Sequence, residues 1–371
     1  PDGVEYRLLA ELEDAKLIKL GRGNVISKKE IREIPGNYPV YSSSAVGNGE
    51  IGSYGKYMFN DERITWSIDG GGRFFYRPAH RYSITNVSGF IKILSKERIN
   101  TKYLFYALIN EWRKKIFNYT HKAHPSIIRN EYKIPIPPLP IQQEIVRILD
   151  TFTELEAELE AELEARKRQY EYYRDKLLTP VEHDGQWLLN GKEVEYKNLG
   201  ELSKIETGKL NANAAVENGE YLFFTTAKTI SRINKYRWDT EAILIAGNAN
   251  VGEVKHYKGK FDAYQRTYVL TQFSKMIKVR FLYFFLSSNL KQYLESRSNS
   301  AAMTYIVLST LQDFPIPIPP LSEQERIVAI LDRFDALCND LTSGLPAEIE
   351  ARRKQYEYYR DKLLTFREAK A

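Results

Sequence analysis

The sequence is poor in the residues that build disulfides, metal clusters and membrane spans. Cys338 is its only cysteine, so an intrachain disulfide and a thiolate metal cluster are both excluded. This usage fits a reducing compartment, and we expect the protein in the cytoplasm. No run of about 18 apolar residues occurs, so no membrane span is predicted. Residues 1–5 carry no basic and apolar leader, and no secretory signal is expected.

Signatures of catalysis and cofactor binding are also missing. A G-x-G-x-x-G string spans 47–52, but turn and strand residues follow it instead of a helix, and it lacks the lysine of a P-loop. The five histidines show no H-E-x-x-H or H-x-x-x-H spacing, and His121 and His124 have no third ligand nearby. The Asn/Asp-Pro-Pro-aromatic motif of amino-methyltransferases is absent. The sequence therefore predicts no catalytic residue, no metal site and no cofactor bound by the chain itself.

The composition favours a globular protein of several domains with a basic surface. Its 371 residues predict two or three domains. Lysine and arginine number 54 against 48 aspartate and glutamate, which gives a net charge of +6 and a pI of about 9.0. The chain has 26 tyrosines, whose amphipathic rings suit contact surfaces. This balance permits nucleic-acid binding without establishing it.

The main feature of the sequence is an internal repeat. The string I-P-I-P-P-L at 134–139 recurs at 316–321, and Q-Y-E-Y-Y-R-D-K-L-L-T at 169–179 recurs unchanged at 355–365. The offset between the copies is 182 residues at the first string and 186 at the second, so the second copy holds four more residues. They lie near 342–346, where glycine and proline predict a break in a helix.

Each repeat predicts a long amphipathic helix that follows an extended proline hinge. Apolar side chains step by three, four or seven residues, and few glycines or prolines interrupt 141–179. Such a helix spans about 60 Å and needs a partner helix to bury its apolar stripe. We expect the two copies to pair as antiparallel coiled-coil helices; two unrelated helices, each packed on its own domain, are the alternative. The candidate residues of these helices, for the helical pair or for subunit docking, are Leu155, Leu159, Leu163, Tyr170, Tyr173, Leu177, Leu341, Ile349, Tyr356, Tyr359 and Leu363.

The two blocks between the repeats predict α/β domains built on strongly bent sheets. Strand-like runs at 64–68, 89–94, 242–246 and 267–271 are separated by glycine-rich turns, and a helical stretch follows at 102–117 and at 279–294. We expect α/β domains at 1–133 and 181–315, and a proline hinge with a long helix at 134–180 and at 316–371. Two halves of similar order predict an approximate two-fold arrangement.

Basic, aromatic and polar turn residues interleave within the two blocks. Lysine and arginine hold phosphates and make binding salt-sensitive, while arginine, asparagine and glutamine read base edges. An ordinary solvated turn is the alternative for each of these segments. The candidate DNA-binding residues are Ser42, Ser43, Ser44, Arg73, Tyr76, Arg77, Arg81, His121, Lys122, His124, Arg129, Thr226, Lys228, Arg232, Asn248, Asn250, Tyr264, Arg266 and Asn299.

The order of these parts resembles the specificity (S) subunits of type I restriction–modification systems, the HsdS family. Two segments carry the resemblance: the string I-P-I-P-P-L-S-E-Q at 316–324 and the helix end R-R-K-Q-Y-E-Y-Y-R-D-K-L-L at 352–364. The resemblance covers nearly the whole chain. It implies a non-catalytic subunit whose two target recognition domains each bind one half of a bipartite site on double-stranded DNA. It also implies an antiparallel helical spacer that docks two modification (methyltransferase) subunits, which bind S-adenosylmethionine and methylate adenine. Two ATP-driven restriction subunits then join for cleavage.

A short acidic repeat within the first helix predicts a molecular ruler. The unit E-L-E-A occurs three times in 154–165, and one unit adds about 6 Å of helix. That length corresponds to between one and two base pairs at about 3.4 Å each. A generic solvated helix face is the alternative. A fused methyltransferase and a coiled-coil scaffold without DNA binding are the rival functions for the whole chain.

Overall fold

Segments that are distant in sequence combine in each of two compact units. The computed structural model describes residues 3–43, 47–117, 122–297 and 305–369. Unit 1 consists of Pro1–Leu159 and Ile349–Ala371, and unit 2 consists of Glu160–Glu348. The division expected from the sequence separates heads from helices, whereas these units cut each helical repeat in two. Each unit thus contains one head, the first half of one repeat and the second half of the other.

The head of unit 1 is a mixed α/β domain, as the sequence predicts. Its strands are β1 (Tyr6–Leu8), β2 (Ile18–Arg22), β3 (Tyr38–Tyr41), β4 (Glu50–Tyr54), β5 (Arg63–Ser67), β6 (Phe74–Arg77), β7 (Ser83–Ile84), β8 (Ser88–Ile93) and β9 (Lys133–Pro135). Its helices are α1 (Leu9–Asp14), α2 (Lys28–Glu33), α3 (Thr101–Trp112) and α4 (Pro125–Glu131).

The core of this head forms around one fully buried strand. The described strands make sheets in the orders β2-β8-β5-β6, β4-β3-β7 and β1-β9. All five residues of β5 are buried, and the indole of Trp66 donates to the Ala123 carbonyl oxygen at 2.8 Å. Helix α3 begins after Asn100, whose side chain accepts from the Tyr103 amide, and it packs against β5, β6 and β9. These contacts fix the end of the sheet from which the polar turns leave.

The long helix α5 (Leu139–Leu178) leads into unit 2, whose head is also mixed. Its strands are β10 (Val181–His183), β11 (Gln186–Leu189), β12 (Lys192–Glu193), β13 (Glu195–Asn198), β14 (Lys204–Thr207), β15 (Tyr221–Phe224), β16 (Ser231–Ile233), β17 (Trp238–Ala246), β18 (Val254–Ala263), β19 (Thr267–Thr271) and β20 (Pro315–Ile318). Its further helices are α6 (Leu199–Leu202), α7 (Val279–Ser296), α8 (Leu308–Gln312) and α9 (Leu321–Asn339), and α10 (Leu345–Leu363) follows.

The main sheet of unit 2 is strongly bent. Its described strands run in the order β14-β19-β17-β18-β15-β16. Strand β18 pairs with β17 along its length, so that Phe261 lies opposite Trp238, while Thr267 of β19 lies opposite Ala246 at the other end of β17. Only three residues connect Ala263 to Thr267. The chain must therefore pass from one end of β17 to the other within these few residues. If the nine residues of β17 were flat, its two ends would lie too far apart for this connection, so the sheet bends, as the sequence predicts.

The two heads share the order of their central strands, β2-β8-β5-β6 in unit 1 and β14-β19-β17-β18 in unit 2. A two-stranded sheet joins β1 to β9 in unit 1 and β13 to β20 in unit 2. In the first hairpin Ser67 donates its amide to the Arg73 carbonyl oxygen, and in the second Ala246 donates to that of Glu253. Gly72 occupies the last turn position before Arg73 with a φ of +75°, which favours glycine. Arg73 and Glu253 are therefore equivalent positions in the two units.

The helical repeats form antiparallel contacts inside each unit. In unit 1, Phe152 of α5 stacks on Tyr359 of α10 at 5.4 Å, and Glu156, one turn later, pairs with Arg353, which lies earlier in α10. In unit 2, Tyr173 of α5 stacks on Phe334 of α9 at 5.7 Å. No described helix is both long and apolar enough to cross a bilayer.

The residues predicted to line the helical pair differ in burial. Leu159, Leu177 and Ile349 are buried, while Leu155, Leu163, Tyr170, Tyr356 and Leu363 are partly buried. Tyr173 and Tyr359 are more exposed, although each stacks on a phenylalanine. The expectation for Leu341 is wrong, since it lies in the turn between α9 and α10 and is 79% exposed. The break predicted near Pro346 is confirmed by this turn, which removes Leu341 from the apolar stripe.

The repeated proline string places one buried glutamine at the start of each long helix. Gln142 is 0% exposed; its Oε1 accepts from the Asn100 amide at 2.8 Å, and its Nε2 donates to the carbonyl oxygens of Arg98 and Pro137. Gln324 of unit 2 makes the equivalent three bonds to Lys278, Met276 and Pro319. Each glutamine therefore fastens a spacer helix to the loop that opens the main helix of its head.

Candidate nucleic-acid interface

Three loops of unit 1 meet at one edge of its sheets and bring hydroxyl groups together. They are 42–43 after β3, the turn 68–73 between β5 and β6, and 85–87 between β7 and β8, and we call them the loop edge of unit 1. The Ser43 hydroxyl lies 2.6 Å from that of Ser67 and accepts from the Asp69 amide at 3.0 Å. The Ser42 hydroxyl lies 2.8 Å from that of Thr85. Two predicted residues, Ser42 and Ser43, are thus held in place by the turns beside them.

Basic residues flank this loop edge. Lys122 forms an ion pair with Asp69 at 3.0 Å, and its side chain remains half-exposed. The Ala123 amide donates to the Ile68 carbonyl oxygen, which fixes the lysine beside the turn. Arg73 ends the same turn and is partly exposed. The predicted residues Lys122 and Arg73 therefore flank the turn to which the Ser43 hydroxyl is hydrogen-bonded.

The same loops of unit 2 form an edge with different chemistry. We define the loop edge of unit 2 as 225–230 after β15, 247–252 between β17 and β18, and 264–266 between β18 and β19. Asn250 donates from Nδ2 to the Thr226 carbonyl oxygen at 2.7 Å. The amide of Tyr264 donates to the Phe224 carbonyl oxygen, and Arg266 accepts from Gly247 at its own carbonyl oxygen. One side-chain bond and two backbone bonds thus hold the three loops together.

Several predicted residues of unit 2 present polar groups at this edge. The side chains of Lys228 and Arg266 are exposed, and that of Tyr264 is partly exposed. Thr226 is buried, and its carbonyl oxygen, not its hydroxyl, is the atom that joins two loops. The Oδ1 atom of Asn248 is buried and accepts no hydrogen bond within the described residues. In protein–DNA interfaces in general, lysine and arginine side chains hold the phosphates, whereas amide and hydroxyl groups discriminate bases.

Two predicted residues of β6 have structural partners instead of a free face. Arg77 is 5% exposed; its Nε donates to the Thr65 hydroxyl and its Nη2 to the Asn48 carbonyl oxygen. Tyr76 donates its hydroxyl to Glu62, and burial together with this carboxylate raises the pKa of the phenol. The hydrogen-bonding ends of both side chains point into the fold, and their role as DNA-binding residues stays a prediction.

Three further candidates also stabilise the fold. His124 caps α4 by accepting from the Ser126 amide. Arg129 of the same helix pairs with Glu13 and Asp14 at 2.8 and 2.6 Å. Arg232 donates to the carbonyl oxygens of Gly219 and Glu220 in unit 2. Their cationic or ring groups are therefore engaged within their own units.

The remaining candidates lie elsewhere. Arg81 is exposed and donates to the Tyr38 hydroxyl at 3.1 Å, before β7 and outside the loop edge. Ser44, His121 and Asn299 lie outside the described residues. Sequence reasoning missed Thr85, whose partner Ser42 is 43 residues away, and no local pattern marks it. The role of the glutamine that follows the proline string was also not predicted, although the glutamine recurs in both repeats.

The described residues offer no metal site, since no three histidine, cysteine or carboxylate side chains among them are placed to hold an ion. The G-x-G-x-x-G string at 47–52 runs directly into β4 (Glu50–Tyr54). A dinucleotide loop opens a helix instead, because the helix N-terminus binds the pyrophosphate. The string at 47–52 therefore lacks the structural context of a dinucleotide-binding loop.

Comparisons with known proteins agree with this geometry. The family model described as "Type I restriction modification DNA specificity domain" matches residues 2–165 and again 191–351. The specificity subunit of the type I restriction enzyme EcoR124I/EcoR124II from Escherichia coli is 36% identical over 295 residues, which cover 71% of this chain and 70% of that protein. A type I specificity subunit homologue from Mycoplasma pneumoniae is 32% identical over 346 residues, covering 85% of this chain and 97% of its own length.

Solved structures show the same fold at lower identity. The S subunit of a type I restriction–modification system from M. genitalium has a TM-score of 0.62 at 18% identity, with 98% of this chain and 96% of that chain covered. A structure from work on the assembly of the type I R-M system has a TM-score of 0.58 at 16% identity and covers 98% of both chains. The duplicated family match falls on the two heads and the helical segments that follow them. This chain belongs to the family of type I restriction–modification DNA specificity subunits, which act in DNA sequence recognition.

Proposed function

We propose that each unit of this chain recognises one half of a bipartite site on double-stranded DNA and does no chemistry on it. The observation that carries the proposal is one topology built twice with two different loop edges. Unit 1 offers the hydroxyls of Ser42 and Ser43, whereas unit 2 offers Asn250, Lys228 and Arg266. Different donors and acceptors recognise different bases. Two linked modules that bind together multiply their specificity.

The proposal includes partners that supply the chemistry. The long helices dock two modification subunits, which bind S-adenosylmethionine and methylate adenine, and two restriction subunits with ATP and Mg²⁺ join for cleavage. Support comes from the unchanged string at 169–179 and 355–365, which leaves Tyr172 and Tyr358 61% and 60% exposed. Large aromatic side chains exposed at equivalent places are typical of a protein interface. Two equivalent surfaces favour two copies of the same partner.

Sequencing the methylome of cells that express this chain with its modification partner tests the proposal. The expected result is methylation within a motif of two short parts and a non-specific gap. Replacing Ser42 and Ser43 together by alanine is expected to relax one part only, and Arg266→Ala the other part only. Arg98→Ala, an exposed arginine outside both loop edges, is the control and leaves the motif unchanged.

Two outcomes would overturn the proposal. A continuous motif without a gap would contradict two separate recognition units. A change of both parts by either loop-edge variant would contradict the assignment of one part to each unit. Gel shifts of the assembled complex at several salt concentrations test DNA binding in vitro, because phosphate contacts give affinity a steep dependence on salt.

A further inference from the structure

A groove in unit 1 runs between β6 and the last turns of α3. Its volume is about 660 Å³, and Arg73, Arg77 and Arg113 line it together with the aromatic side chains of Phe75 and Trp112. A second hollow of about 420 Å³ shares Arg73 and Trp112 with it and extends it toward Lys115. Among the described residues, the charged side chains in the lining are those of arginines and of Lys115. Arg113 forms an ion pair with Glu357 at 3.5 Å, and Lys115 lies 3.8 Å from Glu131. The described part of the groove therefore has a basic lining between aromatic walls.

The floor of this groove holds a buried positive charge. Arg77 is 5% exposed, and its guanidinium contacts the Thr65 hydroxyl at 3.1 Å, the Asn48 carbonyl oxygen at 2.6 Å and the ring of Tyr41 at 3.6 Å. Among the described residues these partners are uncharged, and burial lowers the pKa of the guanidinium. The Glu50 carboxylate favours the charged guanidinium only through an electrostatic interaction without a hydrogen bond, and a buried cation hydrogen-bonded to neutral groups is costly for the folded state. An anion in the groove would offset this cost.

The groove is continuous with the loop edge of unit 1. Arg73 ends the turn that carries Asp69, and Trp112 donates its indole N–H to the Gly71 carbonyl oxygen at 2.7 Å in the same turn. The Ser43 hydroxyl accepts from the Asp69 amide in this turn, so the groove and the hydroxyls of the loop edge share one turn.

We infer that this groove receives a phosphate of the DNA backbone beside the half-site that unit 1 recognises. The inference rests on the proposed function and adds a contact that carries no base information. A guanidinium matches phosphate oxygens with paired N–H donors, and the rings of Phe75 and Trp112 offer apolar walls to a sugar. The groove strengthens binding without changing the sequence that is recognised.

The equivalent surface of unit 2 has different chemistry. Glu253 occupies the place of Arg73, and it forms an ion pair with Lys255 at 2.9 Å. Tyr257, the fourth residue of β18, lies opposite Ala242 in β17. It occupies the position that Arg77, the last residue of β6, occupies in unit 1. The acidic side chain and the loss of an arginine make this surface a poor phosphate site. The phosphate contact is therefore specific to the unit 1 side of the target.

Arg73→Gln tests the inference in the complex with the modification subunit. We expect roughly tenfold weaker binding at low salt, since the hydrogen bonds of one charged group are lost. The plot of log K against log salt becomes shallower by about 0.9, the value for one phosphate contact. Phosphate-ethylation interference shows a phosphate beside one half-site whose effect disappears in the variant. Arg98→Gln, with the same charge change outside the groove, and Glu253→Gln, at the equivalent place in unit 2, are the controls.

The outcomes separate this inference from the proposed function. An unchanged salt slope and interference pattern in Arg73→Gln, with the methylated motif retained, would refute the groove and leave the function intact. A change of the motif itself would also refute it, because the groove would then discriminate bases. The absence of a two-part motif in the unaltered complex would remove the proposed function instead. Circular dichroism of each variant shows that it is folded.

Discussion

Replacing Gln142 by leucine tests how the proline string fastens the first long helix to its head. The side chain of Gln142 is 0% exposed and satisfies the Asn100 amide and the carbonyl oxygens of Arg98 and Pro137 at 2.8 to 3.0 Å. Leucine has a similar volume but no polar atom. The change therefore keeps the packing and leaves three main-chain groups without a partner.

The expected loss of stability follows from those three groups. A buried polar group that loses its partner costs about 1 to 3 kcal/mol, so three cost at least about 3 kcal/mol where the loop cannot relax to water. The whole free energy of unfolding of a domain is about 5 to 15 kcal/mol. Gln142→Leu is therefore expected to remove a large part of the stability of unit 1. Unit 2 has its own glutamine, Gln324, and should keep its stability.

Hydrogen exchange measured by mass spectrometry separates the two units. In Gln142→Leu, amides of α3 and β5 are expected to exchange at least roughly a hundredfold faster, because about 3 kcal/mol corresponds to more than two powers of ten. Amides of α7 and β17 serve as the internal reference. Gln143→Leu is the matched control, since this neighbour is exposed and its change costs little. Equal exchange in the two variants would show that the buried glutamine does not hold the helix.

Three other expectations can be tested in the same chain. Gln324→Leu should produce the same loss in α7 and β17 while sparing α3, as the same exchange measurement shows. Deletion of 158–161 shortens α5 by about 6 Å and should shorten the non-specific gap of the methylated motif by one or two base pairs, with both specific parts unchanged. An unchanged gap, or a changed gap in the length-preserving variant Glu158→Gln, would contradict a role of α5 as a ruler. The Asp340 carboxylate accepts from Thr342 and Ser343, which lowers its pKa to about 2. Because this pKa lies below that of the unfolded chain, the ionised carboxylate stabilises the turn after α9 above about pH 4. The stabilisation is lost as the pH falls through about 2. An NMR titration of Asp340 with a midpoint near pH 4 would contradict this prediction.

The helices and strands were predictable because their signals are local. Apolar side chains spaced three or four residues apart over 141–179 predicted the helix that spans Leu139–Leu178. The strand-like runs at 64–68 and 242–246 overlap with β5 and with the end of β17. Glycine and proline near 344 and 346 predicted the break between α9 and α10. Each of these features depends on neighbours within a few residues. The α/β class followed from them.

The division into units was not predictable in this way. Leu364 is 3% exposed in the core of unit 1, where it packs with Leu9 and Leu12 from the other end of the chain. A repeat marks equal segments but does not say which copy of a helix completes which core. That choice depends on tertiary packing between residues far apart in sequence. The four-part division therefore grouped the helices by sequence and not by the core they join.

The candidate site was only partly predictable, because one residue type serves two purposes. An arginine that holds a phosphate and an arginine that holds a carboxylate look the same in a sequence. Arg129 pairs with Glu13, which lies 116 residues earlier, whereas Arg266 is exposed at a loop edge. Ser42 and Ser43 lie in the predicted turn after a strand, and their role in DNA binding stays a prediction. Distance in space, which the sequence does not give, separates these cases.

The residues that support each head and the residues of its loop edge come from different parts of the sequence. Gln142 and Asp150 belong to the repeat; Asp150 accepts from Lys102 at 2.6 Å, as Asp332 accepts from Arg280 at 2.7 Å in unit 2. The loop edges lie in the blocks that do not repeat. Substitutions at an edge therefore leave the bonds between head and helix untouched. This separation allows one topology to carry two sets of donors and acceptors, as recognition of two unlike half-sites requires.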